Sequence, residues 1–147
     1  MEMATVYLKW KPTHVLFLGD IQWAGRKHGG TALQSLRENI ATHLEYAQQG
    51  HQVLFLGLGD YSDFMSPSNR ARLAAANLYD TATDIIDHKA KDLIEELYEV
   101  ALKPTRGKWL GLIEGHHLTA LKNGETTDMY LASLLDARFL GTSALMR

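Results

Sequence analysis

Three short polar clusters hold the side chains of this chain best suited to chemistry: Gly19-Asp20-Ile21-Gln22, Gly59-Asp60-Tyr61-Ser62-Asp63 and Glu114-Gly115-His116-His117. In the first, an Asp and a Gln two residues on can point the same way from one turn and offer two oxygen ligands to a cation. In the second, Asp60 can bridge two cations, because hard divalent ions about 3.5–4 Å apart repel strongly unless an anionic oxygen lies between them. Asp63, one turn further on, can orient a neighbour. In the third, two adjacent imidazoles that titrate near neutrality can divide the work, one ligating a metal and the other facing a substrate.

Each cluster directly follows a short apolar run. Val15-Leu16-Phe17-Leu18, Val53-Leu54-Phe55-Leu56 and Trp109-Leu110-Gly111-Leu112-Ile113 show no polar alternation, which predicts strands covered on both faces. The polar chemistry thus gathers at the C-terminal ends of strands, where ligand sites of open α/β sheets lie. Helical spacing separates the runs. Thr31 to Gln49 carries Leu33, Leu36, Ile40, Leu44 and Ala47 on one face, and Ser66-Pro67 opens a helix through Asn77. Asp80 to Lys103 presents Ile85, Ile86, Leu93, Leu97, Val100 and Ala101 as an apolar stripe, with Asp87, Lys91, Asp92, Glu95 and Glu99 opposite on a solvated face, and Pro104 ends it. Thr127 to Ala137 forms a last helix with Tyr130, Leu131, Leu134 and Leu135 inward, and Phe139-Leu140 and Ser143 to Met146 begin further strands. The order β–α–β–α–α–β–α–β predicts an α/β fold built on a largely parallel sheet.

The bulk composition fits one soluble domain spanning 1–147. Hydrophobic residues make up 46% and charged residues 22% of the 147, so a core of useful size can form. A net charge of −2 gives no global attraction to nucleic acid or anionic membrane. The absence of cysteine excludes disulfides and zinc–thiolate sites, and no signal peptide or membrane-spanning run is present, so a cytoplasmic protein is expected. Neither Gly-x-Gly-x-x-Gly nor Gly-x-x-x-x-Gly-Lys-Ser/Thr occurs, which argues against a nucleotide-binding α/β domain of those types.

Taken in order, Asp-x-Gln, Gly-Asp-x-x-Asp and Gly-His-His resemble the opening motifs of the calcineurin-like metallophosphoesterase superfamily, which run Asp-x-His, Gly-Asp-x-x-Asp and Gly-Asn-His-Asp/Glu. The Gly-His-His form is similar to phage-associated branches of that family. The resemblance covers the chain from about Val15 onward, and Gly-Asp-x-x-Asp is its most specific part. It implies a layered αββα sandwich of which this chain supplies the first half, and a hydrolase that uses two divalent metal ions, Mn²⁺ foremost with Mg²⁺, Fe²⁺ or Zn²⁺ as alternatives, to activate a water against a phosphate ester. Asp20 and Gln22 would then serve the first metal, Asp60 both metals, and His116 the second. His117 would contact phosphate and assist the leaving group, with Asp63 fixing its tautomer.

The chain departs from the family pattern in three places. Gln22 stands where the family has His, and an amide oxygen is a weaker ligand than imidazole for transition metals. Leu118 stands where an acidic residue would be, and no histidine follows His117, whereas the family completes its site with later histidines. The expectation is therefore an N-terminal portion of a longer enzyme, or a split one whose second half lies on another chain. The alternative is a non-catalytic binding or assembly module with a degenerate metal site. Arg26, Lys27 and His28 beside the first motif, with Arg70 and Arg72 beyond the second, can hold the flanking phosphates of a nucleic acid, and Trp23 and Tyr61 can stack a base. The helical insert of about 66–103 is long for one crossover and suits a substrate lid or the surface of a homo-oligomer.

Overall fold

The computed structural model describes residues 2–3, 11–64 and 80–145. The helix expected from Ser66 to Asn77, with Arg70 and Arg72, lies outside the described residues. The first element is a two-residue strand, β1 (Glu2–Met3), and the second is β2 (Thr13–Leu18). Helix α1 (Arg26–Gln48), strand β3 (Gln52–Gly57), helix α2 (Asp80–Leu97) and strand β4 (Trp109–Leu112) follow. Helix α3 (Thr127–Leu134) and a short strand β5 (Ala144–Leu145) complete the order.

The three apolar runs form one parallel sheet in the order β2-β3-β4, with Val15 opposite Leu54 and Phe55 opposite Trp109. Parallel neighbours need long crossovers, which α1 supplies between β2 and β3, and the segment containing α2 between β3 and β4. Beyond the three strands, Phe139 bridges Leu112 in parallel, and β5 pairs in parallel with β1. The fold is thus α/β with a parallel sheet, as the element order predicts.

The main core lies on the helix-covered face. Phe55, Leu112, Ile94, Leu97, Leu131 and Leu135 are fully enclosed there, each burial contributing about 1.5–3 kcal/mol. A smaller cluster of Leu56, Leu110 and Leu140 covers the other face, with Val15, Leu54 and Ile113 half-buried around it. That cover is incomplete. All four residues of β4 are buried, but Phe17 of β2 is 58% exposed and Leu58 is 50% exposed, so the expected two-sided burial holds for β4 and fails at β2.

Three helices differ in detail from their sequence pattern. Helix α1 starts at Arg26, five residues before Thr31, because Gly25 turns the chain with φ 96° and the helix continues through Gly29-Gly30. His43 of α1 faces the core and its Nε2 lies 3.0 Å from the Leu54 carbonyl oxygen. In α2 the buried stripe is Ala90, Ile94 and Leu97, continued by Ala101, whereas Ile85 is exposed. From Tyr98 to Leu102 the backbone widens into a π-turn, then tightens into a 3-10 turn over Lys103–Thr105. Pro104 has no N–H to continue an α-helical ladder, which accounts for the change of pitch. Helix α3 stops at Leu134, short of Ala137, with Leu135 as its C-cap and Asp136 at φ 55°. Among the described residues no helix is long and apolar enough to cross a membrane.

The charged face of α2 is used rather than merely solvated. Asp87 accepts the Lys122 N–H at 2.8 Å, Lys122 Nζ lies 3.1 Å from Asp84, and the Tyr130 hydroxyl donates to Glu95. The hydrogen bond to Glu95, then burial, pushes the Tyr130 phenol up to about 12 from its ordinary value of 10.0. A phenol whose pKa is raised on folding contributes stability that is complete below pH 10.0 and is lost as pH rises toward about 12. We therefore expect the thermal midpoint of the wild type to fall toward that of Tyr130→Phe between those pH values, with the two curves separated below pH 10.0.

Candidate metal centre

The ends of the strands are locked together by backbone contacts. The Leu58 N–H donates to Leu18 O at 2.8 Å, which carries the β2–β3 ladder past the end of β3. Asp20 N–H then donates to Gly59 O at 3.1 Å, Gln22 N–H to Asp60 O at 2.9 Å, and Trp23 N–H to Tyr61 O at 3.0 Å. The loops after β2 and β3 thus run side by side as a second, irregular parallel pair, ending in a bridge between Trp23 and Ser62. Asp20, Gln22 and Asp60 adopt φ values of 54°, 47° and 55°, left-handed conformations uncommon for residues with a Cβ and tolerated best by Asp and Asn. Such backbone persists only where the surroundings over-determine it.

The loop after β4 packs on the same place without intervening side chains. A Cβ on Gly115 would collide with the backbone N and Oδ1 of Asp60, so only glycine fits. That close approach aims two N–H groups at one carboxylate. Asp60 Oδ1 accepts from His116 N–H at 2.7 Å and His117 N–H at 3.1 Å. The other oxygen, Oδ2, lies 2.9 Å from His116 Nδ1. One potential ligand atom each from Asp60, His116 and His117 lies within 4.8 Å of the others, the spacing of groups able to share one cation. The His116 side chain is 72% exposed, whereas that of Asp60 is 18% exposed, so the carboxylate is fixed from below and the imidazole is open to solvent.

The remaining expected residues fall around this cluster. Asp63 Oδ1 sits 3.4 Å from His117 Nδ1, a long contact that nonetheless orients the ring. Asp20 and Gln22 are bonded to each other, the Gln22 amide donating to Asp20 Oδ1. They lie beside Asp60 through the backbone pairing but are not members of the three-residue cluster. A carboxylate with imidazole nitrogen suits a borderline or hard divalent cation, and of the four metal ligands the motifs imply, the cluster contains Asp60 and His116, joined by His117, which was expected to face phosphate.

Two aromatic expectations are overturned. Trp23 is 4% exposed and Tyr61 fully enclosed, because the paired loops fold both rings into the core, so neither is open to stack a base. The Tyr61 hydroxyl donates instead to Ile113 O at 2.8 Å, and burial drives its pKa well up. Tyr61 is thus a structural tie between the end of β3 and the end of β4. For Arg26, Lys27 and His28 the description covers the α1 backbone only.

Asp128 is the important residue that the sequence reading passes over. It is 1% exposed, stands in the first turn of α3, and its Oδ2 accepts the Gly115 N–H at 2.8 Å. A carboxylate is favoured at a helix N-terminus, which gives it a bland reading in sequence. In the fold it also holds the loop that carries His116 and His117. The only signal was its place two residues after the Thr126 cap.

Replacement of Asp128 by Ala leaves the Gly115 N–H without this acceptor, and we expect about 1–3 kcal/mol of lost stability in urea unfolding. Asp128→Asn keeps an acceptor oxygen and should recover most of it. Gly115→Ala should be the more damaging change at the site, abolishing divalent-metal binding measured by calorimetry because Asp60 must move away.

Comparison of the chain with protein-family models, with curated proteins and with solved structures finds no match. The reading of this centre therefore stands on its own residues.

Proposed function

We propose that this chain is a metal-dependent phosphoesterase of the phosphodiesterase or nuclease type, and that Asp60, His116 and His117 form the heart of its site. The observation that carries this reading is the convergence of those three residues on one point at the C-terminal edge of a parallel sheet. A divalent cation bound there would supply a Lewis acid for the phosphoryl oxygens and a water of lowered pKa.

The chain's own residues have separable tasks in this reading. Asp60 is held by two backbone N–H groups through Oδ1, which fixes the direction of Oδ2 before any ligand arrives. Such pre-orientation spares the reorganisation that would otherwise accompany the reaction. His116, whose Nδ1 lies 2.9 Å from Asp60 Oδ2, would offer an imidazole nitrogen to a cation held by that carboxylate. His117 faces Asp63 through Nδ1, so its Nε2 is the nitrogen that meets a phosphoryl oxygen or hands a proton to the departing alcohol. Asp20 and Gln22, bonded to each other on the adjacent loop, would offer further oxygen ligands to such a cation.

The four-layer αββα arrangement belongs to the same reading. Phe17 and Leu58 leave the second face of the sheet partly open, which is where a second sheet would pack. A second reading, a binding or assembly module with a degenerate site, is favoured by one observation: the Gln22 amide is bonded to Asp20. The two readings separate on turnover. With Mn²⁺ added, the chain should hydrolyse bis-p-nitrophenyl phosphate, and Asp60→Asn should lower the rate at least about 100-fold, as loss of one preorganised electrostatic group does elsewhere. A folded wild-type chain with no metal-dependent turnover would favour the assembly module.

A further inference from the structure

A cavity of about 370 Å³ lies beside the candidate centre, walled by the end of β2 and the following loop on one side and by α1 on the other. This volume falls within the range of small-molecule sites. Its walls are mainly apolar, from Leu18, Trp23, Leu33 and Leu36, and Asp20 and Gln22 form the part nearest the metal-ligand cluster. The loops that carry the two sites are paired, the Gln22 N–H donating to Asp60 O at 2.9 Å.

The charge of the cavity decides what enters it. Asp20 puts a carboxylate on this wall, which repels a phosphate and favours an uncharged group beside it. Ser35 and Asn39 of α1 add a hydroxyl and an amide to the rim, enough to orient ring heteroatoms. Trp23, 4% exposed, adds indole surface to the wall as part of the apolar lining.

We infer that this cavity receives the uncharged, ring-bearing group of the phosphate ester, of nucleoside size, while its phosphate lies over Asp60, His116 and His117. The inference rests on the phosphoesterase reading for the role of the group, and on the cavity alone for its binding. The residues of α1 that line the cavity then set specificity without touching the reacting atoms.

The test is ligand-observed NMR titration of the full chain with adenosine, an uncharged probe, with methyl phosphate as competitor. Adenosine should bind, methyl phosphate should not displace it, and Ala32→Phe should weaken it about tenfold, a difference of about 1.4 kcal/mol. Ala32 is an exposed helical residue on the cavity wall, and Ser35→Tyr at a second exposed wall position should act alike. Absence of adenosine binding, displacement by methyl phosphate, or binding unchanged in both variants would overturn the inference. Asp60→Asn should keep adenosine binding while losing ester hydrolysis. Binding by a chain that hydrolyses no phosphate ester would refute the phosphoesterase reading and leave the cavity site standing; hydrolysis without binding would do the reverse.

Discussion

The structure depends on one carboxylate. Asp60 receives the His116 and His117 N–H groups on a single oxygen, and this joins the end of β3 to the loop after β4 at the candidate metal centre. Hydrogen bonds to a charged acceptor are worth about 1.5–3 kcal/mol each, more than ordinary backbone pairs. They form only because Gly115 lets the two backbones meet and because Asp128 takes the Gly115 N–H from the far side. The same carboxylate is thus both a structural tie and the central candidate ligand. A cation at this place would find its anionic ligand already oriented by the fold.

The paired loops explain why the aromatic residues of the motifs are buried. Extending the β2–β3 ladder through Asp20, Gln22 and Trp23 carries Trp23 and Tyr61 into the core that α1 and α2 cover. Polar and apolar residues then alternate across this irregular pair. Asp20, Gln22 and Asp60 stay at the rim, while Trp23 and Tyr61 anchor the loops beneath them. The left-handed backbone at three of these residues is held by that anchoring.

Strand positions were legible in the sequence because unbroken apolar runs ending at Gly-Asp or Glu-Gly leave few alternatives. The proximity of Asp60, His116 and Asp63–His117 was legible from motif order, because parallel strands bring all their C-terminal ends to one edge. Other features depend on contacts that local pattern does not encode. Gly29-Gly30 disfavours helix by about 1 kcal/mol per glycine, yet α1 runs through both, a case of tertiary context overriding propensity. In α2, Ile85 and Ile94 are equally apolar, and only the position of the neighbouring elements decides that Ile94 is enclosed and Ile85 is not. Asp128 resembles any acidic residue in a first helical turn until Gly115 is seen beside it.

The central claim is that Asp60 and His116 converge to hold a divalent cation, with His117 beside them. The most direct measurement is anomalous diffraction from crystals of the chain soaked in Mn²⁺. The account predicts a peak within about 2–2.5 Å of the Asp60 carboxylate and of at least one of the two imidazoles, absent from Asp60→Asn crystals grown and soaked alike. A well-ordered Asp60 with no peak beside it, or a peak unaffected by the substitution, would contradict it.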